Sequence, residues 1–595
     1  MTGGGVGASA SVQYRFVVTQ MVVGSPEGDT ADQVGQPAKL RLFPTPEGRA
    51  FFGWSAAIYV VITIVLLART LRVTGGRMIY ALDDPAIHLS IATNLVDHGT
   101  WGVVPGHFES ASSSPLWTVL LSVIIGIFPF AADYAALILN AGAALAILAL
   151  LARIQGTFHP SRKRPLDVLA TAVVTAVVLF LPGATFVGME HLLHLVLVLA
   201  AVHGLLNPSG PDASPLRRLA PYGLLALAAL TRLETGFVAL ALGIALLALC
   251  VRRDDGREVP AWRDQFRRIV PVGVAAGLPI VAFSAFNQAM GQGFLPNSVM
   301  AKSTALDGGT RIPDLENILN RFTTDPVLSF VAVVCVILAV IAWPQRRPWF
   351  VPATTMVLVT LLHVTFAQVG WYERYQVYLL GLGVYTVMLA ARDLLPRPHD
   401  AQVRMRLAPL LVLPLLLLSF TKISLTVEVP KAANDTYQQR YQAGVFLERY
   451  YHQRPVATGE LGYISLTHEG PITDLFGLGD YEVLQARREA GGRPRKDYWL
   501  GLSRDRGFQV AAVYPRTLYF DTPDEWILVG TWTIPRQPIT AFEKTFQFWA
   551  TTPEEVAPLR AHMEEFAPEL PDGVVTDLND LAELRAARLM EGSGG

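Results

Sequence analysis

The chain has 595 residues, of which 51% are hydrophobic and only 16% charged, and its mean hydropathy is +0.36. Soluble domains carry about 25% charged residues, so this composition places the chain in a membrane and argues against a soluble protein. The net charge of −1 gives no basic surface for a nucleic acid, and no nucleic-acid partner is expected.

Residues 1–50 are Gly-rich, Pro-containing and polar, without strong periodicity, and read as a flexible cytoplasmic tail. The first apolar run starts too far in for a cleavable signal peptide. Apolar runs follow near 52–71, 134–153, 166–182, 189–206, 219–230, 236–251, 269–288, 327–343, 349–369, 375–391 and 408–425. They predict an α-helical polytopic module over 51–425 with about eleven transmembrane helices, although several runs fall short of the ~20 residues of an untilted span. Cys250 and Cys335 lie inside apolar runs and read as buried thiols, with no disulfide framework or metal site.

The loop over 72–133 carries the most informative feature, the adjacent pair Asp83 and Asp84 just after the first apolar run. Two neighbouring carboxylates at a membrane surface repel each other and are costly to desolvate, so such a pair is expected to hold a cation or take a proton. A solvated turn capped by Pro85 is the plainer alternative.

The segment 115–130 is apolar but short, and is bounded by Pro115 and Pro129. If it does not cross, the loops after the even-numbered spans share one side. Those loops hold eighteen basic residues, from Arg153 to Arg406. The opposite short loops after residue 180 hold only Arg232, Lys302, Arg311, Arg321 and Arg374. The positive-inside rule then makes the first group cytoplasmic and lays 115–130 on, or into, the outer face. Asp83, Asp84, Glu109, Glu190, Arg232, Glu234, Lys302, Glu373 and Arg374 all come to the outer end of the bundle, where clustered ionisable groups mark a site. His191 and His194 start an apolar helix and read as packing residues rather than metal ligands. Tyr372 and Tyr375 flank Glu373 and Arg374 and can stack on a sugar or form part of an interfacial belt.

Residues 426–595 are more charged. Short apolar stretches at 510–514 and 526–529 and glycines at 459, 462, 477 and 479 predict a mixed α/β extracytoplasmic domain packed above the site.

These elements occur in an order that resembles the GT-C fold glycosyltransferases, integral membrane enzymes that use polyprenyl-phosphate sugars. The first loop is similar through Asp83 and Asp84, Asn94 and Leu95, Gly99, Glu109 and the run Ser114 to Trp117. His88 stands where the class often has a basic or aromatic residue. Gly188 to Glu190 resembles a Gly-Leu-Glu element. Thr231 to Glu234 resembles Thr-Arg-Pro-Glu, with Leu233 in place of the usual proline. Pro296, Asn297 and Ser298 with Ala301, Lys302 and Ser303 resemble a Pro-Asn-Thr…Ala-Lys element. Gly462 to Ser465 and Asp474 to Leu478 resemble the outer domain. Within the class, the nearest likeness is to the mycobacterial terminal arabinofuranosyltransferases.

The resemblance implies transfer of a sugar, arabinofuranose among the candidates, from a polyprenyl-phosphate donor to a cell-envelope glycan or glycolipid acceptor, with inversion. It implies a multi-pass protein of the plasma membrane with its site outside. Such a transfer needs a base for the acceptor hydroxyl and cations for the departing phosphate. Asp83 or Asp84 fits the base, the other orienting the acceptor or binding a divalent cation (Mg, Mn or Ca). Lys302, Arg232 and Arg374 are the phosphate candidates. His88, Glu109, Glu190, Glu234, Asn297, Tyr372 and Tyr375 are the substrate candidates. A nucleotide-sugar donor is disfavoured, since no Gly-rich phosphate loop follows a strand. A lipid or glycan transporter or flippase, or a non-catalytic envelope assembly protein, are the alternatives.

Overall fold

The computed structural model describes residues 45–156, 165–210, 212–251, 261–301, 314–394, 414–515, 522–541 and 543–592. The first helix, α1 (Pro46–Val73), begins at Thr45, whose Oγ1 accepts the Gly48 N–H. Next come α2 (Asp84–His98) and α3 (Pro115–Ile127), both in the first loop, then α4 (Ala135–Gly156), α5 (Pro165–Val178), α6 (Leu181–Val187) and α7 (His191–Leu206). They are followed by α8 (Pro215–Ala229), α9 (Thr235–Ala248), α10 (Trp262–Ala289) and the short α11 (Asn297–Ala301). The bundle closes with α12 (Leu315–Thr324), α13 (Pro326–Ala342), α14 (Phe350–Phe366), α15 (Val377–Leu394) and α16 (Phe420–Thr436).

Among the described residues, three helices are long and apolar enough to cross a membrane by themselves, Gly48–Val73, Pro129–Ile154 and Trp262–Ala289. The pair α12 and α13, bent by 103°, adds one more if taken together. Among the described residues the other apolar helices are shorter, so length alone does not establish eleven spans. With 13 residues, α3 extends only about 20 Å and lies against α2. The exposed apolar side chains lie on the outside of α1, α10 and α13, at Val61, Ile64, Leu278, Val281 and Val340 among others. That pattern suits lipid rather than water as the surrounding solvent.

The division expected near 426 falls inside α16. That helix runs on through a π-helical turn, Tyr437–Tyr441, into α17 (Gln442–Tyr451), so a helical connection joins bundle and outer domain. The outer domain holds β1 (Val456–Thr458), α18 (Leu461–Thr467), β2 (Ile472–Asp474), α19 (Tyr481–Glu489), α20 (Lys496–Arg506), β3 (Val510–Val513), β4 (Ile527–Thr533), β5 (Thr545–Ala550), α21 (Val556–Phe566), β6 (Val575–Leu578) and α22 (Ala582–Gly592). Its six-stranded mixed sheet has the order β2-β1-β3-β5-β4-β6. β1 runs parallel to β2 and β3, and the other pairs are antiparallel. Phe446, Trp532, Phe548 and Phe566 form one buried apolar cluster of this domain, and Trp499, Phe508 and Trp526 belong to a second. The four-residue β3 is buried throughout, as a strand inside a covered sheet should be.

The outer domain sits on the first loop. Tyr80 N–H donates to Tyr463 Oη at 2.8 Å, Thr540 Oγ1 to the Ala81 carbonyl at 2.6 Å, and Ser90 Oγ to the Ser465 carbonyl at 3.0 Å.

Candidate active site

Asp83 and Asp84 relieve their mutual repulsion by turning to different partners. Asp83 accepts two backbone hydrogen bonds from the start of α18, from Gly462 N at 2.7 Å and Tyr463 N at 3.0 Å. The approach demands glycine at 462, since a Cβ there would lie 2.2 Å from the Asp83 carbonyl oxygen. Burial pushes the Asp83 carboxyl above its ordinary range, opposed by the Arg440 charge and the two amides. Asp84 accepts from Arg374 Nη2 at 2.6 Å. Its side chain keeps 20% of its surface exposed, whereas that of Arg374 keeps 2%.

Arg374 is delivered by an unusual turn. Trp371, Tyr372 and Glu373 all have left-handed backbone, with φ of 45°, 61° and 59°. Such conformations cost about 1–3 kcal/mol each and persist only where the surroundings enforce them. Here Glu373 is ion-paired with Lys422 and accepts Gln376 Nε2 at 2.7 Å, while Tyr372 Oη donates to the Leu425 carbonyl at 2.9 Å. Lys422 also pairs with Asp325 at 2.7 Å, and Asp325 caps α13 by accepting the N–H of Val327 and Leu328. The turn is thus pinned to α13 and α16.

A second guanidinium arrives from the outer domain. Arg440, in the π-helical turn, donates through Nε to Glu460 at 2.7 Å and lies 5.3 Å from the Tyr514 ring centre. Burial raises the Glu460 carboxyl to about 7 against the pull of Arg440. Among the described residues, Arg374 Nε and Nη1 and Arg440 Nη1 are buried with no hydrogen-bond partner. Both arginines line a cavity of about 360 Å3, together with Asp83, Asp84, Tyr375 and Glu460. Two arginines with unsatisfied N–H groups beside one cavity suit a phosphate, whose oxygens accept such groups in a fork. A larger cavity of about 430 Å3 lies at the other end of α7 and α8, beside Arg217, Arg218 and Arg268, and holds none of these groups.

The other expected residues divide. Arg232 is enclosed between Glu190 and Glu234, each accepting one of its Nη groups, and Nη1 also reaches His191 Nε2 at 2.9 Å. Its guanidinium lies 5.6 Å from the Tyr375 ring centre and that of Arg374 lies 4.8 Å away, so Tyr375 joins the two clusters. His194 Nε2 meets Thr235 Oγ1 at 2.9 Å, a packing role. His88 Nδ1 meets Ser112 and Thr118 at 3.2 and 3.3 Å, in the contact between α2 and α3. Glu109 accepts Val103 N at 2.9 Å, and burial, with Asp480 and Asp474 nearby, raises its carboxyl to about 8. Asn297 donates to Gln292 Oε1 at 3.0 Å, and its N–H reaches the Ser110 carbonyl. Tyr372 faces Leu425 rather than the cavity. Lys302 lies outside the described residues.

Neither acidic residue presents itself as half of a cation clamp, since Asp83 is committed to amides and Asp84 to Arg374. Sequence reasoning passed over Arg440, Glu460, Asp325 and Lys422. A lysine inside the apolar run 408–425 was a usable signal for the last.

A family model described as a domain of unknown function (DUF8728) matches residues 431–551, within the outer domain and its helical connection. No curated protein matches the chain. ArnT from Cupriavidus metallidurans, solved bound to undecaprenyl phosphate, is similar over 84% of this chain and 98% of its own, at 12% identity and a TM-score of 0.49. The archaeal oligosaccharyltransferase AglB from Archaeoglobus fulgidus, solved with an inhibitory peptide and a dolichol-phosphate, is similar over 90% of this chain and 78% of its own, at 10% identity and a TM-score of 0.45. At TM-scores of 0.49 and 0.45 these likenesses assign neither a fold nor an activity to the chain.

Proposed function

We propose that this protein is a membrane glycosyltransferase that moves a sugar from a polyprenyl-phosphate donor to a glycan or glycolipid acceptor, with inversion at the anomeric carbon. The observation that carries the reading is Arg374, a cavity-lining residue buried beside the more exposed Asp84, with two of its nitrogens lacking a hydrogen-bond partner. A carboxylate next to anion-seeking donors is what transfer from a glycosyl phosphate needs.

In this mechanism the donor phosphate binds Arg374 and Arg440 and takes Arg374 away from Asp84. Asp84 then accepts the proton of the acceptor hydroxyl as its oxygen attacks the anomeric carbon. The bond from that carbon to the phosphate oxygen breaks, and the phosphate leaves with its new charge held by the two guanidinium groups. Asp83 positions Asp84 by fastening the loop to α18. Arg232, held by two carboxylates, acts through Tyr375 rather than on phosphate, and Lys302 is a further phosphate contact.

The finer reading follows the sequence resemblance. The sugar is arabinofuranose, the acceptor a cell-envelope glycan, and the protein lies in the plasma membrane with about eleven spans, the shorter apolar helices included. Its site and outer domain are extracytoplasmic.

Purified protein supplied with polyprenyl-phosphate arabinofuranose and an arabinan acceptor should lengthen the acceptor by one residue. Movement of the lipid across a vesicle bilayer without transfer would instead establish a flippase. Neither activity, with donor bound, would establish an assembly protein.

A further inference from the structure

The cavity of about 430 Å3 at the far end of α7 and α8 takes no part in the transfer chemistry, yet its volume is that of a ligand pocket. Its polar side is built by two helices that meet only in the fold. Arg217 and Arg218 come from the first turn of α8 and Arg268 from the second turn of α10, and the two helices pack against each other. Arg263 and Arg267 lie on the same stretch of α10 but do not line the cavity. Arg267 pairs with Asp264 at 3.9 Å, whereas among the described residues no carboxylate is paired with Arg217, Arg218 or Arg268. Three like charges around one cavity repel one another unless an anion lies among them.

The opposite side of the cavity is apolar. Leu205 and Leu206 at the end of α7, Leu242 and Leu246 one turn apart on α9, and Val272 one turn beyond Arg268 form it. Leu242 and Val272 belong to the buried apolar cluster between these helices. α7 and α8 meet closely behind it, since a Cβ on Gly204 would lie 2.6 Å from Pro221 Cγ. Leu216, Leu219, Trp262 and Phe266, on the same first turns of α8 and α10, are exposed. Exposed leucines and a tryptophan beside arginines suit the headgroup layer of a bilayer, where apolar bodies and charged tips find different solvents. A soluble anion would leave the leucine side of the cavity in water, and an uncharged lipid would leave the arginines unpaired. A molecule with a phosphate at one end and acyl chains at the other satisfies both sides.

We infer that this cavity binds one anionic glycerophospholipid, its phosphate held by Arg217, Arg218 and Arg268 and its acyl chains running along the apolar side. Basic pockets between membrane helices hold such head groups in this way. The lipid would brace the ends of α8 and α10, whose arginines otherwise repel. The inference needs only that the bundle lies in a bilayer, and it does not depend on the transfer reaction proposed above.

The test uses the full chain, delipidated in a neutral detergent and titrated with phosphatidylglycerol, with binding read by native mass spectrometry and by melting temperature. One tightly held phosphatidylglycerol per chain is expected, with a higher melting temperature. Phosphatidylcholine with the same chains should not reproduce this, nor should inorganic phosphate or glycerol phosphate. Arg217→Gln and Arg268→Gln change exposed side chains and should fold. Each should weaken binding about fivefold, and the two together roughly twentyfold. Arg267→Gln removes an equal charge from the same helix outside the cavity and should leave binding unchanged. Equal weakening by Arg267→Gln would mean diffuse surface charge and overturns the inference. So does equal binding in the double variant and the wild type, or displacement of the lipid by inorganic phosphate, which would make the cavity a site for soluble anions. Loss of the lipid in Arg374→Ala with retention in the double variant would place it at the transfer site, and also overturns the inference.

Discussion

Asp84→Asn keeps the shape of the side chain and removes its charge. Turnover should fall by about 10²–10⁴, the ordinary worth of a positioned base, with donor binding retained. Transfer and donor-binding assays on the same preparation separate the two. Near-normal turnover would remove Asp84 from the chemistry. Arg374→Ala and Arg440→Ala should each weaken donor binding by roughly tenfold to a hundredfold, because a hydrogen bond from a charged group contributes about 1.5–3 kcal/mol. Unchanged donor affinity in both would mean that phosphate sits elsewhere. Glu109 makes a prediction about pH. Its carboxyl, raised to about 8 in the folded protein, favours the protonated form. Its stabilising contribution is complete below the ordinary carboxylate range and is lost as pH rises through about 8. Glu109→Gln should therefore flatten the decline in melting temperature between acid and mildly alkaline pH. An unchanged pH profile would contradict the burial argument.

At the scale of elements, the left-handed turn before Arg374 depends on groups that sequence keeps far apart. Lys422 on α16 neutralises both Asp325, the cap of α13, and Glu373 in the turn. Lys422→Met removes the only charge balancing those two buried carboxylates among the described residues. Leaving a buried ion without its partner costs about 3–5 kcal/mol. A clear drop in melting temperature is expected, together with weaker donor binding as the turn loosens. A variant as stable as the wild type would show that the carboxylates find another partner. The same helix runs through the boundary expected at 426. Composition changes there, but α16 is a continuous helix, and the backbone hydrogen-bond ladder does not register a change of solvent.

At the scale of the whole molecule, the reading requires the first loop and the outer domain to share one side of the membrane. Their contact through Asp83, Gly462 and Tyr463 makes that a geometric necessity. Which side it is rests on the eighteen basic residues of the opposite loops. In a variant lacking Cys250 and Cys335, a cysteine at Arg495 in the outer domain should label from outside intact cells. One at Arg217, at the far end of the bundle, should label only after permeabilisation. The reverse pattern would invert the topology.

Composition and hydropathy alone pointed to a membrane chain and to a change of character towards its C-terminal part, although the boundary expected at 426 falls inside α16, because burial in lipid and burial in a sheet leave distinct sequence patterns. The acidic pair, Arg374 and Tyr375 were also legible, since charges next to an apolar run are rare enough to stand out. Only the tertiary structure gave the two carboxylates different partners, amides for Asp83 and Arg374 for Asp84. Asp83 and Asp84 are equivalent as letters, and the difference between them is a pair of amides 379 and 380 residues away. Arg440 and Glu460 were invisible for the same reason, being ordinary charges in a charged domain until folding buries them at one cavity. Arg232, prominent in the sequence, is enclosed by Glu190 and Glu234. Local pattern reports the solvent each segment expects, whereas the partner of a buried charge is set by whichever distant segment packs against it.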